Sequence, residues 1–121
     1  MPTVLVVDDA VFMRTTIKRM LDDHPFEIVG EAANGLEAIE QYRKLKPDVV
    51  TMDVTMPTMT GLEAVKHIIA EFPEARIVMI TALGQQKLIV DALEYGAKDF
   101  ITKPFDPDQL INVLRNVTDI Y

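Results

Sequence analysis

Hydrophobic and polar positions along the chain fall into two patterns that alternate from end to end. Residues 3–7 (Thr-Val-Leu-Val-Val) form a continuous apolar run, the mark of a strand buried on both faces, and the run stops at Asp8-Asp9. A three-to-four periodicity follows, with Ala10, Met13, Ile17, Met20 and Leu21 on one helical face, until His24-Pro25 ends it. Residues 26–32 are more mixed and predict an edge strand. Asn34-Gly35 opens a second helix over residues 36–46, with Leu36, Ile39 and Tyr42 inward. The next apolar run, from Val49, carries Asp53 at its end, and Pro57 forbids its continuation because proline gives no N–H to a sheet ladder.

The second half repeats the alternation. Leu62, Val65, Ile69 and Phe72 mark a third helix that Pro73 terminates. Residues 76–80 form a buried strand closing at Thr81-Ala82. Residues 85–95 predict a helix with Leu88, Ala92, Leu93 and Tyr95 inward, and Gly96 takes the position just past its end. Residues 99–102 are a last strand, followed by Lys103-Pro104. Asp106-Pro107-Asp108-Gln109 combines an N-cap acid, proline at the first helical position and a glutamine three residues after the cap. Leu110, Val113, Leu114 and Val117 then share one face.

Five strands alternating with five helices imply an α/β fold: a doubly wound parallel sheet with right-handed crossovers. The first, third, fourth and fifth strands are the apolar ones and are expected inside; the second is the expected edge. An order of 2-1-3-4-5 fits, with its switch point between strands one and three. Open parallel sheets bind ligands outside the carboxyl ends of their strands at that point. The residues falling there are Asp8, Asp9, Asp53, Thr81 and Lys103.

Composition narrows the chemistry. The chain has 121 residues, 49% of them apolar, which suffices for one domain with a real core. It contains no cysteine, so disulfides and thiolate metal sites are out. No apolar stretch approaches a bilayer span and no signal peptide is visible, so a cytoplasmic location without membrane contact is expected. A net charge of -7 argues against binding nucleic acid. Three converging carboxylates repel one another unless a cation sits among them, and an oxygen-only donor set suits Mg²⁺. Lys103 and Thr81 offer a point charge and a hydroxyl donor to a phosphoryl group. A carboxylate can itself accept the phosphoryl, and Asp53 is the central candidate.

Each residue also has an ordinary role. Asp8 and Asp9 could cap the first helix, Asp53 could form a turn, and Lys103-Pro104 could be a plain turn or a cis-peptide candidate. Met56 and Met59 read best as gap-fillers over the core. Tyr95 could cap the core or offer its hydroxyl to a partner. The functional reading rests on four separate strand ends converging on one site.

Val6-Val7-Asp8-Asp9, Met52-Asp53-Val54-Thr55-Met56-Pro57 with the following Thr58-Met59-Thr60-Gly61, Thr81-Ala82 and Lys103-Pro104-Phe105 occur in this order. Over essentially its whole length the chain resembles a receiver domain of two-component response regulators. The resemblance implies a flavodoxin-like (βα)5 fold, one receiver domain over residues 1–121 with no output domain, and a phosphorylation-activated regulator rather than an enzyme. It implies Asp53 as phospho-acceptor. Mg²⁺ would be held by Asp9 and Asp53, by the Thr55 backbone carbonyl, and by Asp8 through water. Thr81 and Lys103 would hold the phosphoryl oxygens, with Thr81 and Phe100 forming the switch. The position of Phe100 is often tyrosine in the family, so the switch aromatic here lacks that hydroxyl.

Residues 8–14 and Gly84-Gln85-Gln86 resemble stand-alone chemotaxis regulators of the CheY type. That resemblance implies a monomer, phosphorylated by a histidine kinase, acting on a flagellar motor switch or another protein target, and reset by slow autodephosphorylation or a phosphatase. Two rivals remain at this level. One is the receiver part of a longer regulator such as a chemotaxis methylesterase. The other is an Asp-nucleophile phosphatase, disfavoured because the acids are not in a D-x-D pattern on one strand. No glycine-rich nucleotide-binding motif is present.

Overall fold

The structure is a computed structural model and describes residues 1–118. Its elements alternate throughout: β1 (Thr3–Val7), α1 (Val11–Leu21), β2 (Glu27–Ala32), α2 (Gly35–Leu45), β3 (Val49–Asp53), α3 (Gly61–Glu71), β4 (Ile77–Thr81), α4 (Gln86–Glu94), β5 (Asp99–Thr102) and α5 (Pro107–Thr118). The strands are parallel in the order β2-β1-β3-β4-β5, as expected.

The continuous apolar runs follow from burial on both faces of the sheet. Leu5, Val7, Val50, Met52, Ile77 and Met79 point to one side, under α2, α3 and α4. Val4, Val6, Val49, Val78 and Ile80 point to the other, under α1 and α5. All of these are buried, so a change in strand register would exchange the two cores.

The helix starts are set locally. Asn34 accepts from the Glu37 N–H at 2.9 Å, and Thr60 forms a capping box with Glu63. At α5 the expected box is present: Asp106 accepts from the Gln109 N–H and Gln109 Oε1 accepts from the Asp106 N–H, both at 2.9 Å.

Several finer expectations are corrected. β5 is not interior: it forms the second edge of the sheet, and its Phe100 is 41% exposed. Leu36, Leu93 and Tyr95 are exposed rather than inward; Ala38 and Ile89 are buried on α2 and α4. Ala10 is exposed and is the N-cap residue of α1. Ala10 and Tyr95 cap their helices instead of lying within them, and at Leu36 and Leu93 the sheet covers a narrower arc of the helix than apolar side chains alone suggest. Met56 is buried in the core and Met59 packs against it, which supports the gap-filling role. The Tyr95 ring lies 5.0 Å from Lys66 Nζ.

Candidate functional site

Strand register assembles the site. Val7 pairs with Met52, so Asp8, one residue on, lies beside Asp53. Asp53 pairs with Ile80, one residue before Thr81, and Thr81 pairs with Thr102, one residue before Lys103. Four strand ends are therefore level. The Lys103 N–H donates to the Thr81 carbonyl at 2.7 Å, and the Lys103–Pro104 peptide is cis, as the strand-end Lys-Pro pair allowed.

One carboxylate oxygen from each of Asp8, Asp9 and Asp53 lies within 4.8 Å of the others. Asp8 and Asp53 are buried, whereas Asp9 is exposed. Lys103 Nζ stands 3.4 Å from Asp8 Oδ2 and 3.8 Å from Asp53 Oδ1. One lysine thus pairs with two of the three clustered acids. Burial, then the charge of Asp8, pushes the Asp53 carboxyl up to about 6, with Lys103 opposing the rise. The site is short of positive charge, and its donors are all oxygens with one side open. It fits a divalent cation that keeps part of its water shell.

Neither acid caps α1 in the ordinary way, because no side chain accepts from the first-turn N–H groups of that helix. Asp8 Oδ1 instead accepts from the Ala10 N–H at 2.9 Å, and Arg14 Nη1 donates to the Asp8 carbonyl at 2.7 Å. Arg14 also pairs with Glu31 at 3.0 Å. Asp8 is held from both its side chain and its backbone, and the capping alternative falls.

The loop after Asp53 is packed as tightly. The Val54 N–H donates to the Ile80 carbonyl at 3.1 Å, and the Gly61 N–H donates to the Val54 carbonyl at 2.8 Å. A Cβ on Gly61 would meet the Asp53 carbonyl oxygen at 1.9 Å, so only glycine fits. Thr58 has φ 70, a strained conformation for a β-branched residue, with the Met59 N–H donating to the Pro57 carbonyl at 2.8 Å around it.

Thr55 is exposed beside the acids, and its hydroxyl accepts from Gln85 Nε2 at 2.9 Å. Thr81 is buried and donates to Gln85 Oε1 at 2.6 Å. Phe100 lies outward, at the rim of a cavity of about 300 Å³ lined in part by Thr81, Gln85, Ile89 and Leu93. The structure brings together Asp8, Asp9, Asp53 and Lys103 directly. It places Thr81 and Thr55 on a common partner, Gln85. The roles of Arg14, Gly61 and Gln85 are not visible in sequence periodicity. Arg14 reads there as a solvated helix residue, Gln85 as the first residue of the helix over 85–95, and Gly61 as the end of the loop before the third helix.

Residues 4–115 match the family of the response regulator receiver domain, and the chain belongs to that family. Its fold is that of a signalling receiver. Within the family it is of the CheY type. It is 54% identical to chemotaxis protein CheY of Listeria monocytogenes, over 93% of this chain and 94% of that one. A protein-glutamate methylesterase/protein-glutamine glutaminase of Pyrococcus abyssi is 50% identical over 84% of this chain but only 28% of its own length. A solved CheX-CheY-BeF3-Mg²⁺ complex from Borrelia burgdorferi superposes with a TM-score of 0.90 at 38% identity, covering 95% of this chain and 87% of that one. No helix among the described residues is long and apolar enough to cross a membrane.

Proposed function

We propose that Asp53 accepts a phosphoryl group from a phosphohistidine of a sensor kinase, and that the acylphosphate switches binding to a protein target of the chemotaxis class. The observation that carries the proposal is the juxtaposition of three carboxylates with a single lysine at 3.4 and 3.8 Å. An Asp53 carboxylate oxygen attacks phosphorus, the P–N bond to the donor imidazole breaks, and the imidazole leaves with its electron pair and takes a proton. Lys103 moves its charge from the acids to the new phosphoryl oxygens, and Thr81 donates its hydroxyl to one of them. Asp8, Asp9, Asp53 and the Thr55 carbonyl would hold Mg²⁺. When bound, the ion neutralises charge on the transferring phosphoryl group. Asp8, fixed by Ala10 and Arg14, keeps the acids in place while that charge changes.

As Thr81 turns toward the phosphoryl group, Phe100 packs into the adjoining cavity, and the α4–β5–α5 face changes shape. Beyond this transfer and slow hydrolysis of its own acylphosphate, the domain turns over no substrate. Residues 1–121 act as one receiver unit, monomeric and cytoplasmic, with a separate phosphatase as a further partner.

The test is incubation with Mg²⁺ and acetyl phosphate, comparing wild type with Asp53→Asn. Base-labile label in the wild type alone supports the reading; equal labelling of both overturns it. Amide shifts around residues 85–105 should move on phosphorylation, and an unmoved set ends the switch.

A further inference from the structure

A hydroxyl has one hydrogen, and that of Thr81 is already committed. It donates to Gln85 Oε1 at 2.6 Å, at the short end of the range for O–H···O bonds. The same Oε1 accepts from the Ala82 N–H at 2.9 Å, while Gln85 Nε2 donates to Thr55 Oγ1 at 2.9 Å. One amide therefore ties the end of β4 to the segment two residues past Asp53. Gln85 stands in the N-cap position of α4, yet its side chain makes no cap to that helix. Both ends of its amide point back to the site. Helix capping does not account for it.

We propose that Gln85 is a latch on Thr81: it occupies the hydroxyl that the phosphoryl group needs, and its release loosens the first turn of α4. The proposal rests on the reading of Asp53 as phospho-acceptor. Gln85 is a positioning residue, acting through Thr81 and touching no reacting atom. A phosphoryl oxygen is charged and a stronger acceptor than an amide carbonyl, so it takes the hydroxyl. The exchange must displace the resting bond first, and the apparent affinity of the site for a phosphoryl group is lowered accordingly. Once Thr81 has turned, Oε1 keeps only the Ala82 N–H, and the tie from the end of β4 through the amide to Thr55 is weakened to that single bond. The adjoining cavity, lined in part by Gln85, Ile89 and Phe100, gives the loop room to move. The latch thus couples the chemistry at Asp53 to α4 through two specific hydrogen bonds.

The test uses Gln85→Met, which keeps length and removes both polar atoms. Thr81 retains a longer alternative acceptor in the Ala82 carbonyl at 3.1 Å, so its hydroxyl is not orphaned. Beryllofluoride serves as the phosphoryl mimic, titrated in Mg²⁺ by calorimetry. One ordinary hydrogen bond predicts that Gln85→Met binds the mimic about two- to tenfold more tightly than wild type. In a Thr81→Val background the same substitution should change nothing, an outcome that a purely structural role for Gln85 does not produce. Equal affinity in wild type and Gln85→Met overturns the latch alone, as does an equal gain in the Thr81→Val background. Failure of the wild type to bind the mimic, or equal binding by Asp53→Asn, overturns the phospho-acceptor reading and the latch with it.

Discussion

The two halves of the site are built to different standards. The acid half stands on β1 and β3, interior strands of the sheet. Asp8 is 1% exposed and Asp53 8%, Asp8 is fixed through Ala10, Arg14 and Lys103, and Gly61 is in backbone contact with Asp53. The reading half stands on the end of β4, the nine-residue α4 and the edge strand β5. There Leu83 is 79% exposed, Val90, Leu93 and Phe100 also face solvent, and a cavity lies beneath them. A charge change needs fixed groups around it, because its effect falls off with distance and relaxation. A reporter needs alternatives of similar energy, which open packing supplies. On the function proposed above, the chemical event falls in the first half and the conformational response in the second.

The strongest way to break this comparison is Gly61→Ala. The added methyl has no flexible neighbour to push aside, since it meets the Asp53 carbonyl at 1.9 Å. A loss of about 3 kcal/mol or more is expected in urea unfolding, together with loss of phosphorylation. Wild-type stability in this variant would mean that the acid half is as adaptable as its neighbour.

The next effect is electrostatic. Asp53 titrates near 6 in the folded chain, against 3.8 for the free group. Between these values the native state holds a proton that the unfolded state has lost. Asp53's contribution is therefore fully present below pH 3.8 and is lost as pH rises through about 6. In chelator at pH 7.5, Asp53→Asn should be more stable than wild type by about 1–3 kcal/mol, the upper figure being the full shift. The gain should shrink toward pH 4. Saturating Mg²⁺ should stabilise the wild type and narrow the difference, because an ion that binds only the folded state adds to its stability. Equal stabilities in chelator across this range would show that the acid half carries no uncompensated charge.

Fold and acids were legible because both depend on patterns that sequence carries directly. Apolar runs locate strands buried on two faces, and the acid or hydroxyl ending each run falls at the carboxyl edge. β5 was misplaced as interior because Ile101 and Phe100 look alike in sequence, although only Ile101 faces the core. Leu36 and Leu93 were misread for the same reason: periodicity gives a helix's apolar arc but not the width the sheet covers. Arg14 and Gln85 were missed because their partners, the Asp8 carbonyl and the Thr81 hydroxyl, are set by tertiary geometry. The cis Lys103–Pro104 bond was a candidate only because proline makes that state accessible.

Gly84→Ala sharpens the comparison from the other side. Gly84 has φ +89, and a Cβ there meets nothing within 4 Å. Its cost is backbone strain alone, about 1–2 kcal/mol, well below that of Gly61→Ala. Urea midpoints of the two variants measure the ratio directly.

The smallest stability effect, and the most specific functional one, is expected at Phe100. Its exposed ring contributes little to the resting fold, so Phe100→Ala should change stability by no more than about 0.5 kcal/mol. Labelling of Asp53 by acetyl phosphate should persist, because no acid or lysine contact is touched. What should fail is the report. In the wild type, beryllofluoride should shift amides through α4 and β5; in Phe100→Ala the shifts should remain near Asp53 and Thr81, because no ring is available to fill the cavity and hold the changed arrangement. A full wild-type pattern of shifts in this variant would remove Phe100 from the switch and leave the loop between β4 and α4 as the element that responds.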